Sequence, residues 1–209
     1  MKVTEIESQN KSLVEFELKK AKRISGVGEY IKQKIFPKVR EKNANGICLE
    51  IGCGHGHWLS SYAQSDSQNI FVGIDLISKR IRKAERKKDF SKLENLFFLK
   101  AEAGEFLHAL PRDLPILSTI IMYSDPWPKK RHFKKRLIQN TFLNLLAEKS
   151  LINSNLFFKT DHHGYFDWTT RLLKDSPLWS EGEEKWPHDA GSFFADLLET
   201  SLTCSANSK

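Results

Sequence analysis

The chain has 209 residues, of which 40% are hydrophobic and 28% are charged, and its formal net charge at pH 7 is +7. This length fits one domain, and this apolar content excludes a chain that is disordered throughout. No apolar run suits a signal peptide or a membrane span, and three cysteines without a C-x-x-C pair provide no disulfide framework, so we expect a cytoplasmic protein without membrane contacts.

Apolar runs and amphipathic segments alternate along most of the chain. Residues 1–42 predict a basic helical extension, which we separate from a main domain over residues 43–209. The predicted strands cover residues 47–51, 70–74, 96–99, 117–123 and 156–160. The predicted helices cover residues 57–64, 78–88 and 104–110, and a fourth turns Leu137, Ile138, Phe142, Leu145 and Leu146 inward. This pattern predicts an α/β fold with a Rossmann-like, doubly wound and mostly parallel sheet that binds ligands at the carboxyl ends of its strands.

The positive charge is clustered rather than interspersed. Basic residues concentrate in residues 19–23, 79–88 and 129–136, and the last stretch has six Lys or Arg among eight residues. This asymmetry favours a polyanionic partner, with nucleic acid first and an anionic membrane second.

A glycine-rich loop follows the first predicted strand. The loop runs from Glu50 through Gly52, Gly54 and Gly56 as E-x-G-x-G-x-G. The dinucleotide fingerprint G-x-G-x-x-G needs glycine at position 57, which is histidine, so NAD is disfavoured. Asp75 ends the second predicted strand, where a carboxylate accepts hydrogen bonds from ribose hydroxyls and repels phosphate. The pattern favours an adenosine without phosphates and resembles the S-adenosylmethionine site of class I methyltransferases; the alternative is an ordinary glycine-rich turn.

Two cysteines and two histidines lie close together in this region. Cys48 falls within the predicted strand and Cys53 between glycines, while His55 and His57 follow them. Four side chains at these positions are not expected to converge, so we predict buried cysteines and surface histidines and no metal site.

The segment after the fourth predicted strand reads S-D-P-W-P-K-K-R-H. Its prolines rigidify the loop and would present Asp125 and Trp127 at the carboxyl edge of the sheet. Trp127 could stack on a base, and residues 129–136 could neutralise phosphates around it. The alternative is a stiff surface loop with a solvated basic face.

The motif D-P-W-P-K-K-R-H resembles the signature of the bacterial tRNA (guanine-N7)-methyltransferases, which modify the variable loop of tRNA. Together with the glycine loop and Thr160-Asp161, the resemblance covers residues 47–161. It implies an enzyme that uses S-adenosylmethionine as cofactor and tRNA as substrate; the sequence leaves monomer and homodimer open.

The resemblance also assigns roles to individual residues. It implies that the cofactor is contacted by Glu50, Gly52, Gly54, Gly56, Asp75, Glu102 and Asp125. Asp125 is also the implied catalytic residue. The implied substrate contacts are Trp127, Lys129, Arg131, His132, Lys134, Lys135, Arg136 and Asp161. For Asp161, a helix N-cap is the alternative.

The chain departs from the family pattern in several places. Glu102 stands where aspartate is usual, Tyr123-Ser124 replaces Phe-Pro, and His162 replaces a common tryptophan. The late T-x-F/Y-E motif is matched only by residues 192–195, which lack its glutamate. Residues 200–209 are polar without alternation, so we expect no closing strand, poor order after Thr200 and activity that survives truncation there.

Two other functions remain open at this stage. The D-P-W-P motif also resembles the D/N-P-P-aromatic loop of methyltransferases that act on exocyclic amines. The incomplete late motif is compatible with a non-catalytic RNA-binding protein on a methyltransferase scaffold.

Overall fold

The computed structural model describes residues 2–182, 185–189 and 201–209, with side chains from residue 12 onward. Its centre is a seven-stranded sheet with the strand order β3-β2-β1-β4-β5-β7-β6. The strands are β1 Ile47–Ile51, β2 Ile70–Asp75, β3 Leu96–Lys100, β4 Ile116–Met122, β5 Ser150–Thr160, β6 Trp179–Gly182 and β7 Leu202–Ser208. The five strands β1 to β5 pair in parallel, and β7 runs antiparallel to both β5 and β6. The predicted doubly wound α/β sheet is confirmed.

Helices connect the parallel strands and cover the sheet. They are α1 Lys2–Tyr30, α2 Phe36–Glu41, α3 His57–Ser65, α4 Ser78–Phe90, α5 Ala103–Ala109, α6 Asn140–Lys149 and α7 His163–Asp175. A π-helical segment, Ile31–Ile35, joins α1 to α2, and a 3-10 helix, Lys130–Lys135, precedes α6. Leu137 and Ile138 lie before α6 rather than within it. No helix in the described part of the chain has the length and apolar character that a membrane span requires.

The core lies on both faces of the sheet. Every residue of β1 and β2 is buried, as expected for parallel strands that are covered on both sides. The N-terminal extension contributes Ile31, Ile35 and Val39 to the same core. Arg23 of α1 also forms a bidentate pair with the buried Glu105 of α5, with 2.6 Å between Nη2 and Oε1. The described extension is therefore anchored to the main domain, and our boundary at residue 42 stays a prediction.

The C-terminal strand contradicts the expectation that residues after Thr200 lack strand structure. β7 lies between β5 and β6 and pairs with both over six and four residue positions. Its serines form hydrogen bonds: Ser205 Oγ donates to the Gly182 carbonyl and Ser208 Oγ to the Leu151 carbonyl. Because these polar side chains are satisfied inside the sheet, β7 needs no apolar alternation. Residues 192–195, with the incomplete late motif, lie outside the described residues.

The position of β7 gives a first prediction. Ala206 is fully buried opposite Leu156, so Ala206→Glu places an unpaired charge inside the sheet. We expect a loss of about 3 kcal/mol or more in the free energy of unfolding, measured by urea denaturation. Thr203→Glu is the control, because Thr203 is exposed on the same strand, and it should change stability by less than about 1 kcal/mol. Equal losses in both variants would show that β7 is not packed as described.

Candidate active site

A cavity of about 1090 Å³ opens at the carboxyl edge of the sheet. The loops that follow β1, β2, β3 and β4 surround it. Its lining includes the sequence-predicted residues Glu50, Gly52, Gly54, Asp75, Glu102, Asp125, Trp127, Lys135 and Arg136. The site expected from the strand ends is therefore assembled in one place, which is where open α/β sheets bind ligands.

The glycine loop uses its three glycines in two ways. All three have positive φ, at 79° for Gly52, 55° for Gly54 and 68° for Gly56. Gly52 and Gly54 line the cavity. A Cβ on Gly56 would lie 2.5 Å from Phe98 Cζ and 2.8 Å from Ala84 Cβ. Gly56 thus allows α3 to approach the sheet and α4 closely, which differs from the cofactor contact predicted for it.

The Asp75 carboxylate is fixed by its own loop and the glycine loop. Its Oδ1 accepts a hydrogen bond from the Ile77 amide at 2.8 Å, and its Oδ2 accepts one from the Gly54 amide at 3.1 Å. Arg80 Nη1 lies 3.5 Å from Oδ2. A carboxylate has about four acceptor positions and the two amides occupy two of them, so Asp75 can accept from a ligand diol while it holds both loops once the long Arg80 contact is displaced.

Glu50 is a buried carboxyl group beside Asp75. It is 3% exposed, and its Oε2 has no hydrogen-bond partner among the described residues. Burial, with a further contribution from the Asp75 charge, raises the pKa of Glu50 to about 8. A buried carboxyl group with an unpaired oxygen suits a ligand that brings a positive charge into the cavity.

Glu102 lies at the rim of the cavity and also caps a helix. Its Oε2 accepts a hydrogen bond from the Glu105 amide at 2.9 Å at the N-terminus of α5. The longer side chain that replaces the usual aspartate is thereby held against its own helix.

The D-P-W-P loop carries an exposed acid and a half-buried ring. Asp125 is exposed, and Trp127 has a φ of 43°, which is rare for a non-glycine residue. The Trp127 ring meets the edge of His132 at 5.6 Å between centroids, and Lys135 Nζ lies 4.7 Å from its centre. The ring is therefore held at the cavity wall by residues of the basic segment.

Arg136 departs from the prediction that it contacts tRNA phosphates. Its side chain is 3% exposed, its Nε donates to the Pro126 carbonyl at 2.8 Å, and its Nη1 donates to the Gly164 carbonyl at 3.2 Å. Its guanidinium carbon lies 3.7 Å from the centre of the Phe133 ring. Because a buried guanidinium satisfied in this way faces the protein, Arg136 joins the D-P-W-P loop to the first turn of α7.

The remaining predicted substrate residues lie outside the core. Asp161 is exposed directly after β5, and the cap of α7 is His162, whose Nδ1 accepts from the Tyr165 amide at 3.1 Å. The N-cap alternative for Asp161 is therefore wrong. The exposed cations of the basic segment are Lys129, Lys130, Arg131, Lys134 and Lys135, and His132 is half-buried among them.

The cysteines near the glycine loop are core residues. Cys48 and Cys53 are both buried, and burial raises the pKa of the Cys48 thiol to about 11 and that of Cys53 as well. Metal ligation needs the thiolate. Among the described side chains, no group of three His, Cys, Asp or Glu is arranged to hold a metal ion.

A sequence profile for a family described as putative methyltransferases matches residues 44–193. The chain belongs to this family. It is 36% identical over 155 residues to a tRNA (guanine-N(7)-)-methyltransferase of Prochlorococcus marinus, with 73% of this chain and 74% of that protein covered. It is 32% identical over 128 residues to the enzyme of the same name from Wolbachia pipientis, with 61% of this chain and 58% of that protein covered. The match thus spans less than two thirds of that relative's length.

Solved methyltransferase structures share the fold. The aminoglycoside resistance methyltransferase NpmB1 superimposes with a TM-score of 0.56 at 16% identity, covering 83% of this chain and 93% of its own. A putative methyltransferase from Streptococcus mutans, solved in complex with SAH, superimposes with a TM-score of 0.51 at 11% identity, covering 79% and 89%. The methyltransferase fold is confirmed.

Sequence reasoning missed Arg80 and gave Arg136 the wrong role. Arg80 approaches Asp75 from the first turns of α4, and Arg136 is buried. Arg80 comes five residues after Asp75, and this spacing in the sequence could have indicated that the two side chains meet. The burial of Arg136 has no such signal, because it stands within a run of exposed cations.

The pKa of Glu50 gives a second prediction. The native value of about 8 exceeds the usual value near 4.5, so the native state holds a proton that the unfolded state loses. Native stability should therefore fall as pH rises from about 5 to 8, because the unfolded state is stabilised by ionisation of a carboxyl group that stays protonated in the native state. Glu50→Gln removes this loss. The unfolding free energy of the variant minus that of the parent should therefore grow by up to about 1.4 kcal/mol per pH unit in that range. A difference in unfolding free energy between variant and parent that does not change with pH would contradict the raised pKa.

The contacts of Arg136 give a third prediction. Arg136→Lys keeps the charge but cannot reproduce both carbonyl contacts, so the unfolding free energy should fall by about 1.5–3 kcal/mol. Arg131→Lys makes the same chemical change at an exposed position of the same segment and should stay within about 0.5 kcal/mol of the parent. Urea denaturation measures both. An unfolding free energy that Arg136→Lys leaves unchanged would mean that the guanidinium contacts to the Pro126 and Gly164 carbonyls do not stabilise the protein.

Proposed function

We propose that this protein transfers a methyl group from S-adenosylmethionine to N7 of a guanine in the variable loop of tRNA. The observation that carries the proposal is the single cavity that joins two buried carboxyl groups around a glycine loop to a rigid D-P-W-P loop flanked by exposed cations. The relatives that bear the name tRNA (guanine-N(7)-)-methyltransferase support the substrate.

The cofactor half of the cavity fits S-adenosylmethionine. Asp75 can accept hydrogen bonds from ribose hydroxyls, and Gly52 and Gly54 leave the backbone open to close approach. The Asp75 carboxylate disfavours a phosphate-bearing cofactor, while the buried Glu50, whose Oε2 has no hydrogen-bond partner among the described residues, suits a cationic one. When bound, S-adenosylmethionine supplies an electrophilic methyl group on a positively charged sulfur.

The substrate half needs to orient a base rather than remove a proton. Guanine N7 carries a lone pair and no proton, so no general base is required before the new bond forms. Holding two reactants in line can contribute roughly 7–11 kcal/mol to lowering the barrier. Asp125, at the cavity wall, would stabilise the purine ring as it becomes cationic.

The exposed residues within and beside the D-P-W-P loop and directly after β5 suit tRNA. Lys129, Arg131 and Lys134 can neutralise phosphates, Trp127 offers a ring for stacking, and Asp161 can accept hydrogen bonds from the guanine edge. Arg136 acts from inside by joining the loop that carries Asp125 to the first turn of α7, which follows Asp161. A tRNA substrate would place the enzyme in the cytoplasm.

The decisive experiment identifies the methylated nucleoside. The protein is incubated with labelled S-adenosylmethionine and bulk tRNA, and the tRNA is digested and separated into nucleosides. The proposal expects 7-methylguanosine. A methylated exocyclic amine would favour an amino-methyltransferase, and binding of cofactor and tRNA without transfer would favour a non-catalytic RNA-binding protein.

Asp125→Asn tests the electrostatic role with a fourth prediction. Asparagine keeps the size of the side chain but not its charge, so the single-turnover rate should fall by about 100-fold or more. The affinity for S-adenosylhomocysteine should change far less. Asp113→Asn, at an exposed acid after α5, is the control and should leave both quantities unchanged. Equal losses of rate and affinity would make Asp125 a simple cofactor ligand.

A further inference from the structure

A second group of basic side chains lies on the opposite side of the cavity from the D-P-W-P loop. It comprises His55, His57, Arg80, Lys83 and Lys87, which we call the α4 cationic site. We infer that the α4 cationic site binds a backbone phosphate of the RNA substrate next to the nucleotide that enters the cavity. The inference deepens the proposed function and rests on it.

Helical spacing places the three cations of α4 together. Arg80, Lys83 and Lys87 follow one another by three and four residues, which sets them on one face of the helix. Ala84, within that face, is fully buried, and a Cβ on Gly56 would lie 2.8 Å from it. The face is therefore turned toward the glycine loop and the start of α3.

The two histidines meet these cations at the mouth of the cavity. His57 is the first residue of α3, and its Nδ1 is in direct contact with Lys87 Nζ. The His55 ring meets His57 edge-on with 6.2 Å between centroids. His55, His57 and Arg80 all line the cavity. The N-terminus of α3 adds the positive end of its dipole at the same place.

The three cations of α4 face one acid, and their charge disfavours protonation of the two histidines. Burial, followed by Lys83 and Arg80, lowers the pKa of His55, and burial, followed by Lys87, lowers that of His57. The nearby acid, Asp75, already accepts from two backbone amides and lies 3.5 Å from Arg80. Among the ion pairs of the described side chains, none includes Lys83 or Lys87. A bound anion would relieve this unfavourable arrangement.

The position of the site favours an RNA phosphate. α4 follows β2 and the basic segment follows β4. Because β2 and β4 lie on either side of β1, these two strands are about 10 Å apart at a strand spacing of about 4.8 Å. A nucleotide that inserts its base between them carries phosphates on both sides. The basic segment can bind one of these phosphates, and the α4 cationic site stands where the other would pass.

The experiment compares two charge reversals on the same helix. Lys83→Glu with Lys87→Glu alters the site, and Arg82→Glu with Arg86→Glu makes the same change of net charge at exposed positions outside that face. Binding of bulk tRNA is measured over a range of salt concentrations. The first pair should flatten the slope of log affinity against log salt by about 0.7–0.9 for each lost contact, relative to the second pair. If a glutamate variant fails to fold, glutamine is substituted at the same positions and the same slopes are compared.

Two results would overturn the inference. Equal slopes for the two pairs would show that the site does not contact phosphate. An unchanged slope with a tenfold or larger loss of S-adenosylhomocysteine affinity would show that the cations hold the cofactor carboxylate instead. The proposed function fails separately, because it falls if the parent protein makes no 7-methylguanosine even when the slopes differ as expected.

Discussion

The parallel pairing of β1 between β2 and β4 is the constraint on which the site depends. Glu50 is paired with Gly73 on one side and Ile120 on the other, so the strand ends that carry Glu50, Asp75 and the D-P-W-P loop share one edge. Hydrogen bonds from the Gly54 and Ile77 amides to Asp75 then fix two of these loops to each other. The strand pairing and the Asp75 carboxylate thus position the cofactor half of the cavity.

The substrate half is organised by a side chain instead. The loop after β4 is joined to the first turn of α7 through the Arg136 guanidinium, which contacts the Pro126 and Gly164 carbonyls and rests against aromatic rings. The basic segment therefore has two roles, which fall on different residues according to their burial. Arg136 holds the loop against the helix, and its exposed neighbours remain available for RNA.

Local sequence patterns predicted the parts of the protein that depend on local rules. Alternating apolar runs identified the five parallel strands, and the glycine and D-P-W-P motifs identified the cavity. β7 escaped prediction because Ser205 and Ser208 are satisfied by donating hydrogen bonds to strands that are distant in sequence. Gly56 and Arg136 were given ligand contacts because a motif shows residue type and order but does not show which way a side chain faces. Their packing against Phe98 and Phe133 depends on tertiary structure.

A crystal structure of the protein with S-adenosylhomocysteine tests the central claim most directly, because it measures where the adenosine lies. We expect both ribose hydroxyl oxygens within about 2.5–3.0 Å of the Asp75 carboxylate, with the glycine loop beside the ligand and the sulfur facing the D-P-W-P loop. A ligand outside this cavity, or a ribose that does not contact Asp75, would contradict the account.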